Sequence, residues 1–544
     1  MTFKSIKYDS LPGFSKLFLD FINENKFFDN RFPNNKKLFT DKSFLNEIAK
    51  SEKNRELIAD TISLTMKDID LRAEQTKNLN LLKSSNTLAV VTGQQVGFLG
   101  GPIYTLVKAL SAISLSIKLN EHHKDFNFVP IFWIEDNDHD NFESSQITIF
   151  DQSYNPHIFN CDEFHDKSDR RVVTSRVFSS YTNNIIQNIC QLLSGTNNNE
   201  EIITQLNKIY RPSKSWTSAF VKLFNNLVGY TGLLFISASK LQNTGIFYVP
   251  IKKELENLGK TEELINFANK QLESASYHIQ AKSSKINLFF HKENFRYRIE
   301  PVGDNSDYFK IFNKNYQHKE LLNHLSQNHS AFSPNVLLRP VFQDFVLPTV
   351  AYIAGPSEIG YCTQLREVYD FFQVTMPAFI PRHSITLVDK KTARFLEKNE
   401  LSADFFFCKK EVLKSFIKDK FKNSNIEDII NKSIDDVQII FDNLKTLAKS
   451  IDPTLNGFVD SSRTKTSQMI DAIGKKIKSA EIKKYEFLIN KYYQASQFLY
   501  PFETFQERIY SPLNFLLNTK NENLIENLLQ LFKNDPDNHT IVFI

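Results

Sequence analysis

Apolar residues along the chain follow two spacings, and the clearest example of both lies between residues 88 and 134. Residues 88–92 and 128–134 are short, nearly continuous apolar runs, which predict strands buried on both faces of a sheet. Between them, apolar residues from Leu106 to Ile117 recur every three or four positions after Pro102, a residue that suits the first turn of a helix. The order strand, loop, helix, strand predicts one right-handed crossover of a parallel sheet.

The same patterns extend over the first 390 residues. The apolar stretch 336–354, followed by Gly355-Pro356 and a helical pattern over 358–372, repeats the order of strand, break and helix. The polar segment 154–169 predicts an inserted loop or hairpin. Further helices are predicted over residues 14–22, 44–48, 55–82, 183–193, 200–209, 215–227, 251–258 and 262–272, and further strands over 145–150, 171–177, 232–237, 378–380 and, as a hairpin, 286–290 and 296–300.

These patterns predict an α/β core over residues 1–390, in which a parallel sheet carries insertions within about 141–330. A different pattern begins near residue 391. Eight positions there step by four and three, and seven of them are apolar, which predicts a coiled-coil seam. The eight are Ile426, Ile430, Ser433, Val437, Ile440, Leu444, Leu447 and Ile451.

The segment 452–457 contains Pro453 and Asn456-Gly457, which predict that the seam helix stops there. A second helical run over 462–500 would complete an antiparallel hairpin in a domain spanning 391–500. One hairpin cannot cover a wide apolar stripe alone, so we expect a homodimer in which a second copy covers it. Residues 501–544, with a terminal strand at 539–544, are expected to return to the core.

Composition narrows the range of partners. The chain has 544 residues, 41% hydrophobic and 24% charged, with a net charge of +4. This balance describes a soluble globular protein and gives no reason to expect nucleic acid or a membrane surface as a partner. The sequence contains no signal-peptide pattern and no run of eighteen apolar residues, so we expect a cytoplasmic protein. Its four cysteines lie far apart and predict neither a zinc site nor a disulfide framework.

The loop 92–101 is the first candidate for chemistry. It follows a strand, precedes a helix and contains Gly93, Gly97, Gly100 and Gly101. The spacing matches neither a dinucleotide-binding loop nor a Walker loop. Its amides, at the positive end of a helix, would still suit a carboxylate or phosphate. The alternative is a tight turn that serves packing only.

The second candidate is the ionisable cluster after the second strand, formed by Glu135, Asp136, Asp138, His139 and Asp140. In an extended chain the three aspartates would point to one side and could hold a hard cation. Alternatively, His139 acts as a general base beside a carboxylate that orients it. The third interpretation is a solvated acidic turn without a chemical role.

Other polar residues lie near predicted strand ends or in apolar surroundings. Lys108 lies one helical turn after Tyr104, so both side chains would reach the same region, although a surface lysine would have the same spacing. Arg339 and Arg382 adjoin prolines in apolar segments and need an anion, either from a substrate or from an internal acid. Glu358 follows Gly-Pro-Ser and could serve only to cap its own helix.

Several long motifs resemble the bacillithiol biosynthesis cysteine-adding enzyme family, and the resemblance extends over nearly the whole chain. The motifs are residues 92–105 with 108–109, residues 129–140, residues 338–349 with 355–361, the elements 376–377 and 381–382, the tip 452–455, and residues 499–501 with 506–508. The resemblance implies a Rossmann-type core with connecting-peptide insertions and an antiparallel coiled coil through which two chains dimerise. It also implies the addition of cysteine to glucosaminyl-malate, the last step of bacillithiol synthesis.

That reaction defines what the site must do. Joining a carboxylate to an amine expels water, so the carboxylate must be activated, and we expect a nucleotide such as ATP as cosubstrate. The amine must lose a proton, for which we select His139, Asp140 and Asp138. The residues expected to bind substrate or nucleotide are Thr92, Gly93, Gln94, Gln95, Gly100, Gly101, Tyr104, Lys108, Trp133, Arg339, Glu358 and Arg382. No metal ligand is assigned. The rival hypotheses are a metal-dependent phosphohydrolase that uses the Asp/His cluster and a non-catalytic dimeric scaffold.

Overall fold

The fold was determined as a computed structural model that describes residues 2–140, 142, 144–161, 169–193, 199–303, 307–421, 424–518 and 523–544. The chain divides into two compact units. The first contains residues 1–393 and 504–544, and the second contains residues 394–503.

A five-stranded sheet forms the centre of the first unit. Its strands are β1 (Thr87–Gln95), β2 (Asn127–Glu135), β3 (Leu234–Ser237), β4 (Thr349–Ala354) and β5 (Ala378–Pro381). Neighbouring strands are parallel and lie in the order β5-β4-β1-β2-β3. From β1 the chain moves to β2 and β3 on one side and later fills the other side with β4 and β5. This is the strand order of a Rossmann-type sheet, as expected.

The apolar runs form the inner strands because each is covered on both faces. Residues 88–91 of β1 and 131–134 of β2 are almost fully buried. The helix α1 (Ile103–His122) packs on β1 and β2, and most of its residues are buried. Side chains from α1, β1, β4 and the helix Lys42–Lys50 share one apolar cluster that includes Ala112, Val90, Ile353 and Phe44. The predicted strand, loop, helix and strand unit is therefore confirmed.

Other elements surround this sheet. The helices are Lys16–Ile22, Phe27–Arg31, Lys42–Lys50, Arg55–Thr65, Ala73–Leu81, Ser180–Leu193, Asn199–Ile209, Trp216–Val228, Ala238–Asn243, Tyr248–Glu256, Lys260–Ser274, His318–Gln327, α2 (Leu338–Val346), α3 (Pro356–Cys362), Arg366–Phe372, Lys390–Lys398, Lys410–Lys420, Leu513–Asn518 and Leu524–Leu531. Smaller sheets contain Gln146–Phe150 with Pro156–Asn160, Phe332–Pro334 with Leu288–Lys292 and Phe295–Arg298, and Glu300–Pro301 with Tyr308–Ile311 and Lys314–Gln317.

Some predicted elements were wrong. The apolar residues 338–346 form α2, and the strand that follows is confined to β4, because Pro340 is compatible with a first helical turn but not with a central strand. The helical patterns over 55–82 and 358–372 are each divided into two helices. Residues 171–177 form a short 3-10 turn rather than a strand.

The region 141–330 is also less uniform than expected. It holds the predicted hairpins, but it also contributes β3 to the central sheet. The segment 154–169 begins with the strand Pro156–Asn160, which pairs with Gln146–Phe150, while its residues 162–168 lie outside the described residues.

Both ends of the chain meet in a second sheet of the first unit. The strand Asn538–Phe543 runs antiparallel to Thr2–Lys7 and parallel to Ser384–Val388. Because Ser384–Val388 follows β5 after two residues, this sheet holds residues 504–544 close to the strand ends of the core.

The second unit contains an antiparallel pair of long helices, α4 (Ser424–Ile451) and α5 (Asn456–Leu499). Ion pairs define the antiparallel direction, with Lys445 bound to Asp460 near the tip and Glu427 bound to Lys478 farther along. The helix α5 starts earlier than predicted, so Gly457 lies in its first turn.

The predicted seam is only half covered by α5. Ile426, Ile430, Ser433 and Val437 are partly buried, and Ile430 fills the space beside Gly474. Ile440, Leu444, Leu447 and Ile451 are instead exposed. The apolar stripe at the distal end of α4 is therefore uncovered in a single chain. Across the described parts of both units, no helix has the length and apolar character needed to cross a membrane.

Candidate active site

A cavity of about 970 Å³ opens beyond the carboxyl ends of β1, β2, β4 and β5. The strand order reverses between β1 and β4, and a crevice forms at such a point because the two connections leave in opposite directions. Eleven of the residues selected from the sequence line this cavity: Gly93, Gln94, Gln95, Tyr104, Lys108, Asp138, His139, Asp140, Arg339, Glu358 and Arg382. Gln95 and His139 therefore face the same space.

A buried ion pair joins the two sides of the switch point. Lys108 is 1% exposed, and its Nζ donates to Glu358 Oε2 at 2.6 Å and to the Gly93 carbonyl at 2.5 Å. Burial lowers the pKa of Lys108 although Glu358 opposes the shift. Burial would raise the pKa of Glu358, but Lys108 and Arg339 hold it below its usual value. The contact between Lys108 and Glu358 fixes α1 against α3.

Glu358 does more than cap its own helix. Its Oε2 accepts a hydrogen bond from the Gly355 amide at 2.6 Å, as a capping residue would. Its Oε1 also accepts from the Tyr352 hydroxyl at 2.8 Å and lies 3.9 Å from Arg339 Nη2. Arg339 donates to the Tyr361 hydroxyl at 2.6 Å. This network holds the guanidinium of Arg339 at the cavity wall with an acidic partner already beside it.

Asp138 organises the opposite wall. Its carboxylate accepts hydrogen bonds from Gln95 Nε2, from the His139 amide at 2.8 Å and from Arg296 Nη1 at 3.0 Å. Burial would raise the pKa of Asp138, but Arg296 and Gln95 together hold it below its usual value. Asp138 therefore accepts hydrogen bonds that orient its neighbours.

His139 is the group on this wall with the electrostatics of a base. Its ring is half-buried, and its Nδ1 lies 3.6 Å from Asp138 Oδ1. Burial lowers the pKa of His139, and the positive charge of Arg296 adds to that effect while Asp138 opposes it. The imidazole is consequently neutral at neutral pH and able to accept a proton. Asp140 is exposed at the rim of the same cavity.

The alternative of three aspartates around a cation is wrong because Asp136 faces the interior. Its carboxylate accepts hydrogen bonds from the Ser239 amide at 2.9 Å and from the hydroxyls of Ser237 at 2.7 Å and Thr217 at 3.2 Å. It therefore anchors β3 to β2. In the described part of the chain, no three His, Cys, Asp or Glu side chains are grouped as metal ligands would be.

The glycine loop does not present the amide cradle that we expected. The amides of Phe98, Gly100, Gly101 and Ile103 donate to the carbonyls of Ser144, Gly97, Phe98 and Tyr510. Gly100 has a φ of 84° and packs against Leu223 and Phe224, so this part of the loop turns into the core.

Four selected residues consequently lie outside the cavity lining: Thr92, Gly100, Gly101 and Trp133. The Thr92 hydroxyl donates to the Ile353 carbonyl at 3.1 Å and links β1 to β4. The buried Trp133 donates through Nε1 to the Glu135 carboxylate at 3.1 Å. Glu135, which lines the cavity, has a pKa raised by burial. Trp133 therefore acts on the cavity wall only through its hydrogen bond to Glu135.

Arg382 has an internal acid as its partner. Its Nη2 donates to Glu507 Oε1 at 2.7 Å, and both side chains are almost fully buried. Glu507 also accepts from the Ser384 hydroxyl and the Ile385 amide, each at 2.9 Å. The guanidinium of Arg382 lies 5.6 Å from the centre of the Tyr104 ring. The guanidinium of Arg382 borders the cavity, and the carboxylate of Glu507 neutralises its charge.

With this geometry described, comparison with known proteins is informative. Residues 1–383 match the bacillithiol biosynthesis BshC N-terminal Rossmann-like domain, and residues 385–544 match the BshC C-terminal coiled-coil domain. This chain belongs to the BshC family. The protein named "Putative cysteine ligase BshC" from Chloroherpeton thalassium is 32% identical over 476 residues, which cover 86% of this chain and 84% of the relative.

Other BshC proteins align over even more of the chain. The Chlorobaculum tepidum protein is 29% identical over 524 residues, covering 93% of this chain and 92% of its own length. The Flavobacterium johnsoniae protein is 28% identical over 549 residues, covering 99% of each. Both carry the same printed name as the Chloroherpeton protein. The family relation therefore includes the sheet, the insertions and the coiled coil.

Four cations of this BshC cavity were missed by the sequence analysis: Lys282, Arg296, Arg298 and Arg508. Arg296 and Arg298 alternate along the strand Phe295–Arg298, which we had interpreted as an excursion from the sheet. The alternation of arginines on one strand was a usable signal, since residues two apart share a face. Nothing local marked Lys282, and Arg508 belongs to the motif 506–508 but was not selected for the site, because only the tertiary fold brings both residues to this edge.

The missed cations change the charge of the site. The described lining contains seven Lys or Arg residues and five Asp or Glu residues. Arg296 is held by Asp138 and stacks 3.9 Å from the centre of the Phe289 ring. Within the described residues, Lys282, Arg298 and Arg508 form no ion pair. These three exposed cations give the BshC cavity a surplus of positive charge suited to anionic groups.

Proposed function

We propose that this protein is a ligase that joins the carboxyl group of cysteine to the amine of glucosaminyl-malate, forming the amide of bacillithiol as the last step of its synthesis. The observation that carries the proposal is the placement of a neutral imidazole, His139, in the same cavity as three cations that form no ion pair with any acid in the described part of the chain. The BshC names of the relatives supply the reaction class.

The amine needs a base before it can attack a carboxyl carbon. His139 is assigned this role because its lowered pKa keeps the ring unprotonated at neutral pH. Asp138 orients the segment through the His139 amide, and Arg296 keeps Asp138 ionised. Proton transfer therefore takes place from the substrate ammonium to an imidazole nitrogen, with Asp140 at the rim as the group to pass the proton to solvent.

The malyl part of the amine substrate carries two carboxylates, which need positive partners. Arg298, Arg508 and Lys282 are assigned to them because no described acid neutralises these side chains. Arg339 and Lys108 lie deeper and already have partners, so they shape the cavity floor rather than supply free charge. Binding of the dicarboxylate would thus be dominated by the cations at the mouth.

We further propose that a nucleoside triphosphate, ATP in the first instance, activates the cysteine carboxylate. In activation, the carboxylate oxygen would attack a phosphorus atom of the triphosphate and form a mixed anhydride, with release of the nucleoside diphosphate or of diphosphate. Attack of the amine on the acyl carbon would then expel phosphate or the nucleoside monophosphate. The loop residues Phe98, Gly100 and Gly101 use their amides internally, so the phosphates would be held by side-chain cations. This arrangement differs from a Walker loop, in which backbone amides surround the phosphates.

The test is a reconstituted reaction with full-length protein, cysteine, glucosaminyl-malate and each nucleoside triphosphate in turn. The product thiol is identified by mass spectrometry after alkylation. Cysteine labelled with ¹⁸O in its carboxyl group should transfer the label to phosphate or to the nucleoside monophosphate if a nucleotide activates it. A product that forms without label transfer would refute nucleotide activation, and absence of product with every triphosphate would refute the ligase assignment.

His139→Gln is the informative variant, with His278→Ala as its matched control because His278 is exposed and outside the cavity lining. The assignment requires that only the first variant loses the reaction. In cells lacking the protein, accumulation of glucosaminyl-malate that is reversed by the wild type and not by His139→Gln would exclude a scaffold.

We also propose that two copies of the chain associate through the coiled-coil unit. Its distal α4 stripe is continuous with the covered half of the seam, and four large apolar residues there are exposed. A stripe of this kind is stable in water only when another apolar surface covers it. A second copy would supply an identical stripe, as in a two-fold symmetric interface.

A further inference from the structure

A second cavity lies beside the proposed active site. It has a volume of about 320 Å³ and lies behind the segment that carries His139, since Asn137 lines it while His139 lines the main cavity. The hairpin formed by Leu288–Lys292 and Phe295–Arg298 also separates the two cavities, because Phe289 lines the main cavity and His291 lines the second one. The two cavities are therefore neighbours on opposite sides of one wall.

The lining of this second cavity is polar and almost without charge. Among its described residues are Asn137, Thr174, Ser175, Ser239, Gln242, Asn243, His291, Glu293, Asn294, Asn328 and Ser330, with no lysine or arginine. Glu293 is the single acidic residue of this lining among the described residues and lies exposed at the rim. Burial and the nearby Arg296 lower the pKa of His291 to about 3, so its ring is neutral. An anion would find no positive partner here.

Three polar side chains in the lining are more than nine-tenths buried and have hydrogen-bonding groups to spare. Asn137 is 5% exposed, Ser239 is 7% exposed and Gln242 is 4% exposed. Within the described residues, the Asn137 amide and the Ser239 hydroxyl have no side-chain partner. Gln242 donates to the Ser330 carbonyl at 2.5 Å, but its Oε1 accepts from no described donor. Buried polar groups are normally paired, so the Gln242 Oε1 indicates a missing partner, and the polar groups of Asn137 and Ser239 in the same lining are available to a ligand.

Together the three side chains offer both donors and acceptors. Asn137 can donate twice and accept, Ser239 can donate and accept, and Gln242 can accept. A hydroxyl group is the neutral counterpart that matches such a set, because each hydroxyl both donates and accepts. A compact ligand with several hydroxyls around one ring would satisfy all three side chains at once.

We infer that this second cavity binds an uncharged, hydroxyl-rich ring of monosaccharide size. Its volume is within the range of small-molecule sites and its lining excludes a carboxylate or phosphate ligand. The inference uses no residue of the main cavity and stands independently of the proposed function. The ring could belong to a free sugar or to the sugar part of a larger ligand, which share the same chemistry.

The test measures binding to the full-length protein by saturation-transfer NMR and isothermal titration. The probes are D-glucose, N-acetyl-D-glucosamine and glucosaminyl-malate, with L-malate as the anionic control. We expect at least one sugar probe to bind saturably, and we expect Asn137→Ala and Ser239→Ala each to weaken that binding about fivefold, as loss of one hydrogen bond would. L-malate binding should be unaffected by either variant.

Arg508→Ala is the matched control, because it removes a cation from the main cavity and should weaken L-malate while leaving D-glucose and N-acetyl-D-glucosamine unchanged. If only glucosaminyl-malate responds to Asn137→Ala, the sugar ring of that compound is the occupant. If the free sugars respond, the site accepts a separate ligand. Absence of saturable binding by all three sugar probes, or binding that neither variant weakens in a folded protein, would overturn the inference.

Discussion

Lys108 Nζ lies 2.6 Å from Glu358 Oε2, although the two residues are 250 positions apart in the chain. The pair joins α1, which follows β1, to α3, which follows β4, and therefore spans the point where the strand order reverses. Among the described residues, neither has another partner of opposite charge as close as this one. The edge of the sheet that forms the cavity is held together by this contact.

Removal of one member of the pair is expected to destabilise the protein. Lys108→Met should lower the free energy of unfolding by about 3 kcal/mol, because Glu358 would keep a largely buried charge beside a single distant arginine. Chemical denaturation of the wild type and the variant measures this difference. The double variant Lys108→Met/Glu358→Gln should recover part of the loss. If the double variant is less stable than the single one, the pair does not act as described.

The rate of the reaction should depend on the ionisation of His139. Since burial and Arg296 lower the pKa of this imidazole, activity should persist as the pH falls through 6.5 and decline only at more acidic pH. His139→Gln should reduce kcat by about a hundredfold or more. The pH profile of kcat/KM for the wild type measures the first expectation. A loss of activity that begins above pH 6.5 as the pH is lowered would contradict it.

The cations at the mouth of the cavity should affect substrate binding more than turnover. Arg298→Ala and Arg508→Ala are each expected to raise the KM for the dicarboxylate substrate about tenfold, because each removes an unpaired positive charge. Both side chains are exposed, so unfolding should be unchanged. Steady-state kinetics at two salt concentrations gives the measurement, and Arg211→Ala, an exposed arginine outside the cavity lining, is the control. Equal KM values for all three variants would exclude this role.

Stability at acidic pH should depend on Glu507. Burial would raise its pKa, but Arg382 and other partners hold it below its ordinary value. A carboxyl group with a lowered pKa stabilises the fold above its unfolded pKa, near pH 4.3, and that contribution is lost as the pH falls through the folded value.

Glu507→Gln should therefore be less stable than the wild type at neutral pH and show a weaker loss of stability below about pH 4.3. Thermal unfolding measured from pH 7 to pH 3 tests both parts. Parallel curves for the two proteins would show that Glu507 titrates with the same pKa in the folded and unfolded states.

The exposed stripe of α4 should control association of the proposed dimer. Leu444 and Leu447 are 46% and 58% exposed in one chain. Leu444→Glu/Leu447→Glu is expected to convert a dimer into monomers, because four buried charges of equal sign would face one another across the interface. Light scattering after size exclusion provides the measurement. A monomeric wild type would refute the dimer, and Lys465→Glu on α5 is a control that changes charge without removing an apolar side chain.

Much of the fold follows from the sequence because its strongest signals are local. The apolar runs 88–92 and 128–134 predicted buried strands, and the spacing from Leu106 to Ile117 predicted a helix packed on them. The long stepped pattern of α4 likewise predicts a coiled coil without tertiary information. Local signals predicted the wrong element at residues 338–346, where an apolar run that contains Pro340 forms the helix α2 and not a strand.

The candidate site was predictable only in part. Residues that directly follow a strand, such as Gln95 and His139, were identified because parallel strands end at one edge. Gly100 and Gly101 lie outside the cavity lining, which the sequence could not show because a glycine loop that binds an anion and one that packs into a core look alike. Trp133 also lies outside it, and the sequence does not show which neighbours a strand residue meets.

The sequence by itself determined most of the elements and the parallel sheet, since these depend on spacing within continuous segments, and its long motifs carried the resemblance to the family. Only the tertiary structure decided that Asp136 serves the interior, that Arg382 is balanced by Glu507, and that Lys282, Arg298 and Arg508 share the cavity with His139. The physical reason is that a charge acquires its role from the partner it meets. In this protein those partners come from segments that can be hundreds of residues apart.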